Sequence, residues 1–128
     1  MRLTVDSDTR IIEQVTRMGD LYDLYGALLT DRQKQMVELY YLDDWSLSEI
    51  ASHFGVSRQA VHDNLHRSAE QLEAYEAALS LLETTRQNRQ LVRNLQTAFA
   101  LVQDSLSETE RHEMQSALNA LMAAWRVD

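Results

Sequence analysis

The side chains best suited to recognising another molecule lie in the segment Ser46–Arg67, on the second of two short helices that its spacing predicts. Arginine can donate two hydrogen bonds to guanine, glutamine can bond the edge of adenine, and a serine hydroxyl can contact a phosphate. The outward face predicted for this second helix carries Ser57, Arg58, Gln59, His62, His66 and Arg67, with Asp63 among them. We predict that the first six of these residues form a nucleic-acid-binding surface.

A protein-binding surface is the alternative interpretation of the same face. Asp63 would be repelled by phosphate unless its carboxylate accepts a hydrogen bond from a cytosine amino group. In the alternative, the face is a solvated surface of a scaffold that binds another protein. Arg89 and Arg93 mark a second candidate face for nucleic acid, to be considered if binding does not depend on Arg58 and Arg67.

His62, His66 and Glu70 follow one another at intervals of four residues, so a helix would present their ligand atoms on one side. Two histidines at this spacing occur in zinc sites. However, the sequence offers no second pair of ligands, and the residue after His62 is Asp63, where zinc metalloproteases have glutamate. We therefore predict neither a metal site nor another bound cofactor.

The sequence lacks the usual elements of an enzyme active site. It has no cysteine, no glycine-rich loop to hold a phosphate, and no serine–histidine pair with an evident orienting carboxylate. The protein is therefore predicted not to be an enzyme. The aromatic residues predicted to form its core, rather than a platform for stacking bases, are Tyr22, Tyr25, Tyr40, Tyr41, Trp45 and Phe54.

A helix-turn-helix over about residues 46–67 would position the candidate side chains. Apolar residues recur at helical spacing on both sides of Gly55, which can adopt the left-handed conformation that ends a helix. Ser57 is suited to cap the second helix, and Val56 is predicted to fill the turn. The residues predicted to face inward are Leu47, Ile50, Ala51, Phe54, Ala60, Val61 and Leu65. The second helix of such a motif is shaped to enter the major groove of DNA.

Two helices are predicted before this motif. A first helix over about residues 8–29 follows a loose lead-in at residues 1–7. Its predicted buried face carries Ile11, Val15, Met18, Tyr22, Tyr25 and Leu29. A second helix runs from Asp31 to about Leu42, and apolar residues over most of its circumference predict a central position. The residue pairs predicted to form capping boxes are Thr30 with Gln33, Ser46 with Glu49, and Ser107 with Glu110.

The helix that begins after Ser57 is predicted to continue to about Glu83, with a break near Thr84–Thr85. Further helices are predicted over about residues 86–103 and from Ser107 onward. The first of them carries Leu91, Leu95, Ala98, Phe99 and Val102, and the second carries Met114, Leu118, Leu121 and Trp125. The chain is accordingly divided into a helical head at residues 1–70 and a helical extension at residues 71–128.

The extension is the predicted dimerisation region. The apolar stripe on the long helix comprises Leu65, Leu72, Tyr75, Leu79 and Leu82. A helix of this length spans ~37 Å, which is more than a compact head can cover. An exposed stripe would form a contiguous apolar patch, so we favour a homodimer. An intramolecular helical bundle is the alternative.

Composition favours a small all-α protein. The chain has 128 residues, no proline and only three glycines. Folds made of strands and turns usually need more of these two residues. It has no cysteine, no signal-peptide-like apolar run at its start and no stretch long enough to span a membrane. We therefore predict a cytoplasmic protein that is not inserted in a membrane, with one domain or a small domain and a helical appendage.

The net charge of −8 argues against tight binding to nucleic acid, because that affinity comes largely from neutralising phosphates with lysine and arginine. Residues 30–70 contain four basic and seven acidic side chains, a segment charge of −3. DNA or RNA is therefore expected to bind weakly, or another molecule is the partner.

The segment from Leu29 through the helix-turn-helix resembles region 4 of bacterial sigma factors, which binds a promoter element through its recognition helix. A closer similarity is to the YlxM-type family of small helix-turn-helix proteins. The stretches that carry it are Tyr22–Thr30, Tyr40-Tyr41, Leu47–Ala51, Ser57–Val61 and Glu73–Glu76. The similarity covers about residues 8–80. The predicted fold is thus all-α, with a sigma-region-4-like helix-turn-helix head and a long C-terminal helical extension.

Similarity to this family implies a bacterial, cytoplasmic protein with a DNA-binding motif. It also implies a regulatory role among the components of the signal recognition particle pathway, because the family's genes commonly neighbour that of the particle's GTPase. His62 and His66 depart from the pattern, since relatives often have an aromatic residue and a lysine there. Two hypotheses follow: a nucleic-acid-binding regulator, or an accessory protein of that GTPase without physiological DNA binding.

Overall fold

Six α-helices account for most of the chain. The computed structural model describes the backbone of residues 2–128 and the side chains from Thr9 onward. The helices are α1 Arg2–Tyr25, α2 Asp31–Val37, α3 Leu47–Phe54, α4 Arg58–Leu79, α5 Leu81–Val102 and α6 Glu108–Ala124. No strand occurs in the described part of the chain, so the prediction of an all-α fold is confirmed. None of the helices described combines the length and apolarity that crossing a membrane requires.

The chain divides after Ser80 into two units, Met1–Ser80 and Leu81–Asp128. Residues 71–80, which the sequence assigned to the extension, therefore belong to the first unit. The reason is that α4 is one continuous helix that packs against α1, α2 and α3.

The first helix differs from its prediction at both ends. It begins at Arg2 instead of after a loose lead-in, and a 3₁₀ turn starting at Gly26 replaces its predicted last residues. Met1, also part of the predicted lead-in, lies outside the described residues. The buried residues of this region are Met18, Leu21, Tyr25 and Leu29. Ile11 and Val15 are exposed, contrary to prediction, because the C-terminal half of α1 is the part that contacts α4.

The second helix changes geometry partway along. Thr30 and Gln33 form the predicted capping box, and α2 then passes into a π-helical turn at Glu38–Leu42. Met36 and Val37 are buried, whereas Tyr40 and Leu42 are exposed. The predicted central position therefore holds only as far as Val37, since the wider turn directs the residues after it differently from an α-helix.

The helix-turn-helix is confirmed in its main features. Ser46 and Glu49 form the predicted capping box of α3, and Gly55 ends that helix in the left-handed conformation, at φ +67°. The buried residues are Ile50, Ala51, Val61 and Leu65, while Leu47 and Phe54 are half-buried. Ala60 and Val56 are exposed, contrary to prediction. The turn is closed by backbone instead, because the Val56 amide donates to the Ala51 carbonyl at 3.0 Å.

The break after α4 comes earlier than the sequence indicated. The helix ends at Leu79 and Ser80 adopts the left-handed conformation, at φ 54°, with its amide donating to the Glu76 carbonyl at 2.8 Å. Thr84 and Thr85, the predicted break, lie inside α5. A serine in this conformation is uncommon, so residue type did not reveal the break.

The apolar stripe of α4 is mostly covered within the chain. Leu65 and Leu72 are buried in the first unit, and Leu79 is 55% exposed. Leu82 is also buried but belongs to the second unit. The first half of the stripe is therefore covered within the first unit, where α4 packs against α1, α2 and α3, and the homodimer stays a prediction.

The second unit is a hairpin of α5 and α6. A 3₁₀ turn at Gln103–Ser105 joins them, and Ser107 and Glu110 form the third predicted capping box at the start of α6. The guanidinium Nε of Arg89 donates to the Trp125 carbonyl at 2.7 Å, which satisfies a carbonyl at the end of α6. The buried apolar residues of this unit are Leu82, Val92, Phe99, Leu118 and Val127.

Candidate nucleic-acid interface

The N-cap and the N-terminal half of α4 hold the six predicted contact residues, all of them exposed. The Ser57 hydroxyl oxygen accepts a hydrogen bond from the Ala60 amide at 3.0 Å and so fixes where the helix begins. Val61 is fully buried and Leu65 is 5% exposed, and together they hold the opposite side of the helix against the core. The exposed residues of this half are Ser57, Arg58, Gln59, His62, Asp63, His66 and Arg67.

Two of the predicted contact residues are paired with carboxylates of the same helix. Gln59 Nε2 donates to Asp63 Oδ1 at 2.8 Å, and His66 Nε2 lies 2.8 Å from Glu70 Oε1. The hydrogen bond from Gln59, aided by His62, lowers the pKa of Asp63 below its ordinary value. To contact a base, Gln59 and His66 would have to give up these contacts with Asp63 and Glu70.

The arginines and Ser57 are better disposed for contact. Arg58 and Arg67 are both exposed, and both can approach phosphate or a guanine edge. The Ser57 oxygen is engaged as a helix cap, but a hydroxyl can still donate while it accepts.

The two histidines lie side by side. Their rings are nearly parallel, with centroids 6.4 Å apart and 2° between their planes. His62 Nδ1 is 3.5 Å from Asp63 Oδ1. Among the residues whose side chains are described, no three histidine, aspartate or glutamate groups form an arrangement that could hold a metal ion.

The aromatic residues do not form the single buried cluster that the sequence predicted. Tyr25 is the buried one, and its hydroxyl donates to Glu76 Oε1 at 2.6 Å. Tyr40 and Tyr41 meet edge to face with centroids 5.0 Å apart, at the surface end of the π turn. Trp45 stacks edge to face with His53, which contacts Phe54 in the same way. The cluster is divided because its members belong to different elements, with Tyr22 and Tyr25 on α1, Tyr40 and Tyr41 in the π turn and Phe54 at the end of α3.

A groove of about 210 Å³ lies between the π turn and α4. We call it the aromatic groove; its lining residues are Tyr40, Tyr41, Leu47, His62, Leu65, His66 and Ala69. His62 and His66 therefore border both this groove and the predicted contact surface. Sequence reasoning missed the groove because its residues come from three elements and nothing in the sequence signals the π turn.

Two further contacts were not predicted from the sequence. Arg17 binds Glu73 with two hydrogen bonds, Nε to Oε1 at 2.6 Å and Nη2 to Oε2 at 2.8 Å, which joins α1 to α4. The Arg32 guanidinium lies 4.5 Å from the centre of the Phe54 ring. Both contacts join residues far apart in sequence, so no local pattern marks them.

Charge is distributed unequally between the two units. The first unit contains seven basic and fourteen acidic residues, a net charge of −7, and the second contains five and six, a net charge of −1. The candidate surface lies on the more acidic unit. Of the second candidate pair, Arg89 is engaged with the Trp125 carbonyl and Arg93 is exposed.

Comparison with known proteins extends the similarity beyond the helix-turn-helix. The profile of the UPF0122 family, described as "Putative helix-turn-helix protein, YlxM / p13 like", matches residues 12–113, which reaches into α6 and well past residue 80. A UPF0122 protein of Exiguobacterium is 48% identical over 93 residues, covering 73% of this chain and 87% of that protein. One of Bacillus pumilus is 42% identical over 110 residues, covering 86% and 97%. The chain therefore belongs to the UPF0122 family of YlxM-like helix-turn-helix proteins.

Proposed function

We propose that this protein is a nucleic-acid-binding regulator that contacts DNA through the exposed side of α4. The observation that carries the proposal is that Ser57, which caps the second helix of the motif, and Arg58, Gln59, His62, His66 and Arg67 within it are all exposed. The second helix of a helix-turn-helix is the one that enters the major groove. Arg58 and Arg67 supply the phosphate and guanine contacts.

Binding is expected to be weak and sensitive to salt. The first unit carries a net charge of −7, so its acidic side chains repel the phosphates that the arginines of α4 attract. Each arginine that contacts a phosphate contributes roughly one unit to the slope of log affinity against log salt concentration.

The test is a titration of mixed-sequence duplex DNA at several salt concentrations, with the wild type and Arg58→Ala/Arg67→Ala. We expect the double variant to bind more weakly and its salt slope to fall by about two units. Arg10→Ala/Arg126→Ala is the matched control, because it removes the same charge from exposed positions outside both candidate faces. The proposal is rejected if the wild type binds neither this duplex nor a single strand of the same sequence. A larger loss in the control assigns binding to another surface.

Regulation of the signal recognition particle GTPase without DNA binding is the second candidate function. The acidic charge of the first unit and the pairing of Gln59 and His66 with their own helix favour it. It would use the same exposed side of α4 to contact a protein. A pull-down from the native cell, probed for both nucleic acid and the GTPase, separates the two functions.

We further propose that the protein is a homodimer paired through α5 and α6. Apolar positions recur in alternating steps of four and three at Leu91, Leu95, Ala98 and Val102 and at Met114, Leu118, Leu121 and Trp125. Such spacing is typical of helices that pack along a shared seam. An apolar groove between the two helices is lined by Leu95, Phe99, Met114, Ala117, Leu118 and Leu121. A second copy fits this face because the unit is almost neutral, so two copies repel each other little there.

A further inference from the structure

We propose that the aromatic groove accepts one unpaired nucleobase, so that the protein prefers single-stranded or bulged nucleic acid to a perfect duplex. This inference rests on the proposed function, because it names the class of nucleic acid that α4 would bind. The groove lies beside the predicted contact surface and shares His62 and His66 with it.

The size of the groove suits a single ring system. Its volume is about 210 Å³. Apolar cavities of roughly 150 Å³ are large enough to bind benzene. The groove is open to solvent on one side, as Tyr40 is 36% exposed and both histidines are exposed. A base could therefore enter without any helix moving.

The lining supplies what an unpaired base needs. Aromatic rings stack on the flat face of any base, and histidine and tyrosine are among the residues that do so in RNA-binding proteins. Four rings line the groove: two tyrosines from the π turn and two histidines from α4. Tyr40 and Tyr41 brace each other edge to face, with centroids 5.0 Å apart. The hydroxyl of Tyr41 is also able to donate a hydrogen bond to a base edge.

Charge around the groove favours a base over a phosphate. Asp63 and Glu70 do not line the groove but lie next to its two histidines: Asp63 Oδ1 is 3.5 Å from His62 Nδ1, and Glu70 Oε1 is 2.8 Å from His66 Nε2. These carboxylates would repel a phosphate, whereas a nucleobase is uncharged. Stacking needs no phosphate neutralisation, so it can contribute affinity where this acidic unit lacks cations.

The connection to α4 distinguishes a nucleobase from the main alternative, an aromatic side chain of a protein partner. Arg58 and Arg67 lie on the same helix as the two histidines and are exposed. They are available to the phosphates that flank a bound base. An aromatic side chain of a protein partner brings no flanking phosphates of this kind.

The test uses a single-stranded DNA of about ten nucleotides with one central 2-aminopurine, and the same DNA as a fully paired duplex. We expect the wild type to bind the single strand more tightly and to quench the fluorescence of the base analogue. Tyr40→Leu, which removes a ring, should weaken single-strand binding roughly 5- to 150-fold, and Tyr40→Phe, which keeps the ring, should not. Neither variant should change duplex binding.

A second variant guards against misfolding of Tyr40→Leu. Ala69 lines the groove at a half-exposed position outside the predicted contact set, so Ala69→Phe should fill the groove and have the same effect on single-strand binding. The inference is overturned if the single strand binds no better than the duplex, or if neither variant weakens it. Duplex binding that persists in that case leaves the proposed function intact. Failure to bind either DNA rejects both, and single-strand binding that alone survives rejects only the duplex contact.

Discussion

The two units of the chain differ in the balance of buried and exposed apolar side chains. Among the residues whose side chains are described, the first unit buries eleven and exposes nine large ones, whereas the second buries five and exposes seven. In the first, α1 lies across α4, and residues such as Leu21, Ile50 and Leu72 are almost fully buried. In the second, α5 and α6 have only each other within the unit. Its exposed large apolar residues are Leu81, Leu91, Leu95, Leu101, Val102, Met114 and Leu121. A hairpin of two amphipathic helices covers only part of each apolar face, and this exposed remainder is the basis of the proposed pairing of copies.

Charge sharpens this contrast. The first unit has a net charge of −7 and the second unit a net charge of −1. The acidic unit holds the predicted contact surface, where charge opposes binding, while the almost neutral unit exposes the apolar face. This distribution suits a division of roles, with ligand recognition by the first unit and pairing of copies by the second.

The largest expected effect comes from the core of the first unit. Leu72 is fully buried, so Leu72→Ala should reduce the free energy of unfolding by about 2–5 kcal/mol, from lost apolar burial and the cavity that remains. Leu101→Ala in the second unit is the matched control, because Leu101 is 82% exposed and its truncation should cost less than about 0.5 kcal/mol. Urea denaturation of both variants provides the comparison. Equal losses of unfolding free energy in the two variants would contradict the difference in burial between these two positions.

A smaller effect is expected at the turn of the helix-turn-helix. Gly55 has φ +67° and open space where a Cβ would lie, so Gly55→Val should destabilise by about 1–2 kcal/mol through backbone strain alone. Gly19 also has open space but lies within α1 without a positive φ, so Gly19→Ala should stabilise by about 0.5–1 kcal/mol. Thermal melts should thus move in opposite directions. A common direction would show that strain at Gly55 does not shape the turn.

The smallest expected effect is a pH dependence of the contact between α1 and α4. The hydrogen bonds from Arg17 lower the pKa of Glu73, so this pair stabilises the folded state above the unfolded pKa of glutamate. That stability is lost as the pH falls through the lowered folded pKa. Both side chains are more than 40% exposed, so the contribution should be at most about 1 kcal/mol. Glu73→Gln should be less stable than the wild type at neutral pH and equal to it in acid. A difference that persists in acid would contradict the assignment.

Sequence predicted the features that local chemistry determines. The three capping boxes and Gly55 are confirmed because a cap or a left-handed glycine depends on residues within one turn. The π turn at Glu38–Leu42 and the left-handed Ser80 have no such marker. They also determine which residues line the aromatic groove and where the two units divide. The buried face of α1 includes Leu21, which was not predicted to be buried. Which residues of α1 are buried depends on where this helix packs against α4, and the periodicity of its own sequence carries no information about that contact.

The claim that binding and pairing belong to different units is tested most directly by sedimentation of the full chain with a fluorescent duplex DNA at low salt. We expect the wild type to sediment as a dimer on the DNA, and Arg58→Ala/Arg67→Ala to remain a dimer but release it. Leu95→Glu/Leu121→Glu should become a monomer that still binds DNA, whereas the control Leu101→Glu, outside the groove, should stay a dimer. A wild type that sediments as a single chain at tens of micromolar, or a glutamate double variant that remains dimeric, would contradict the account.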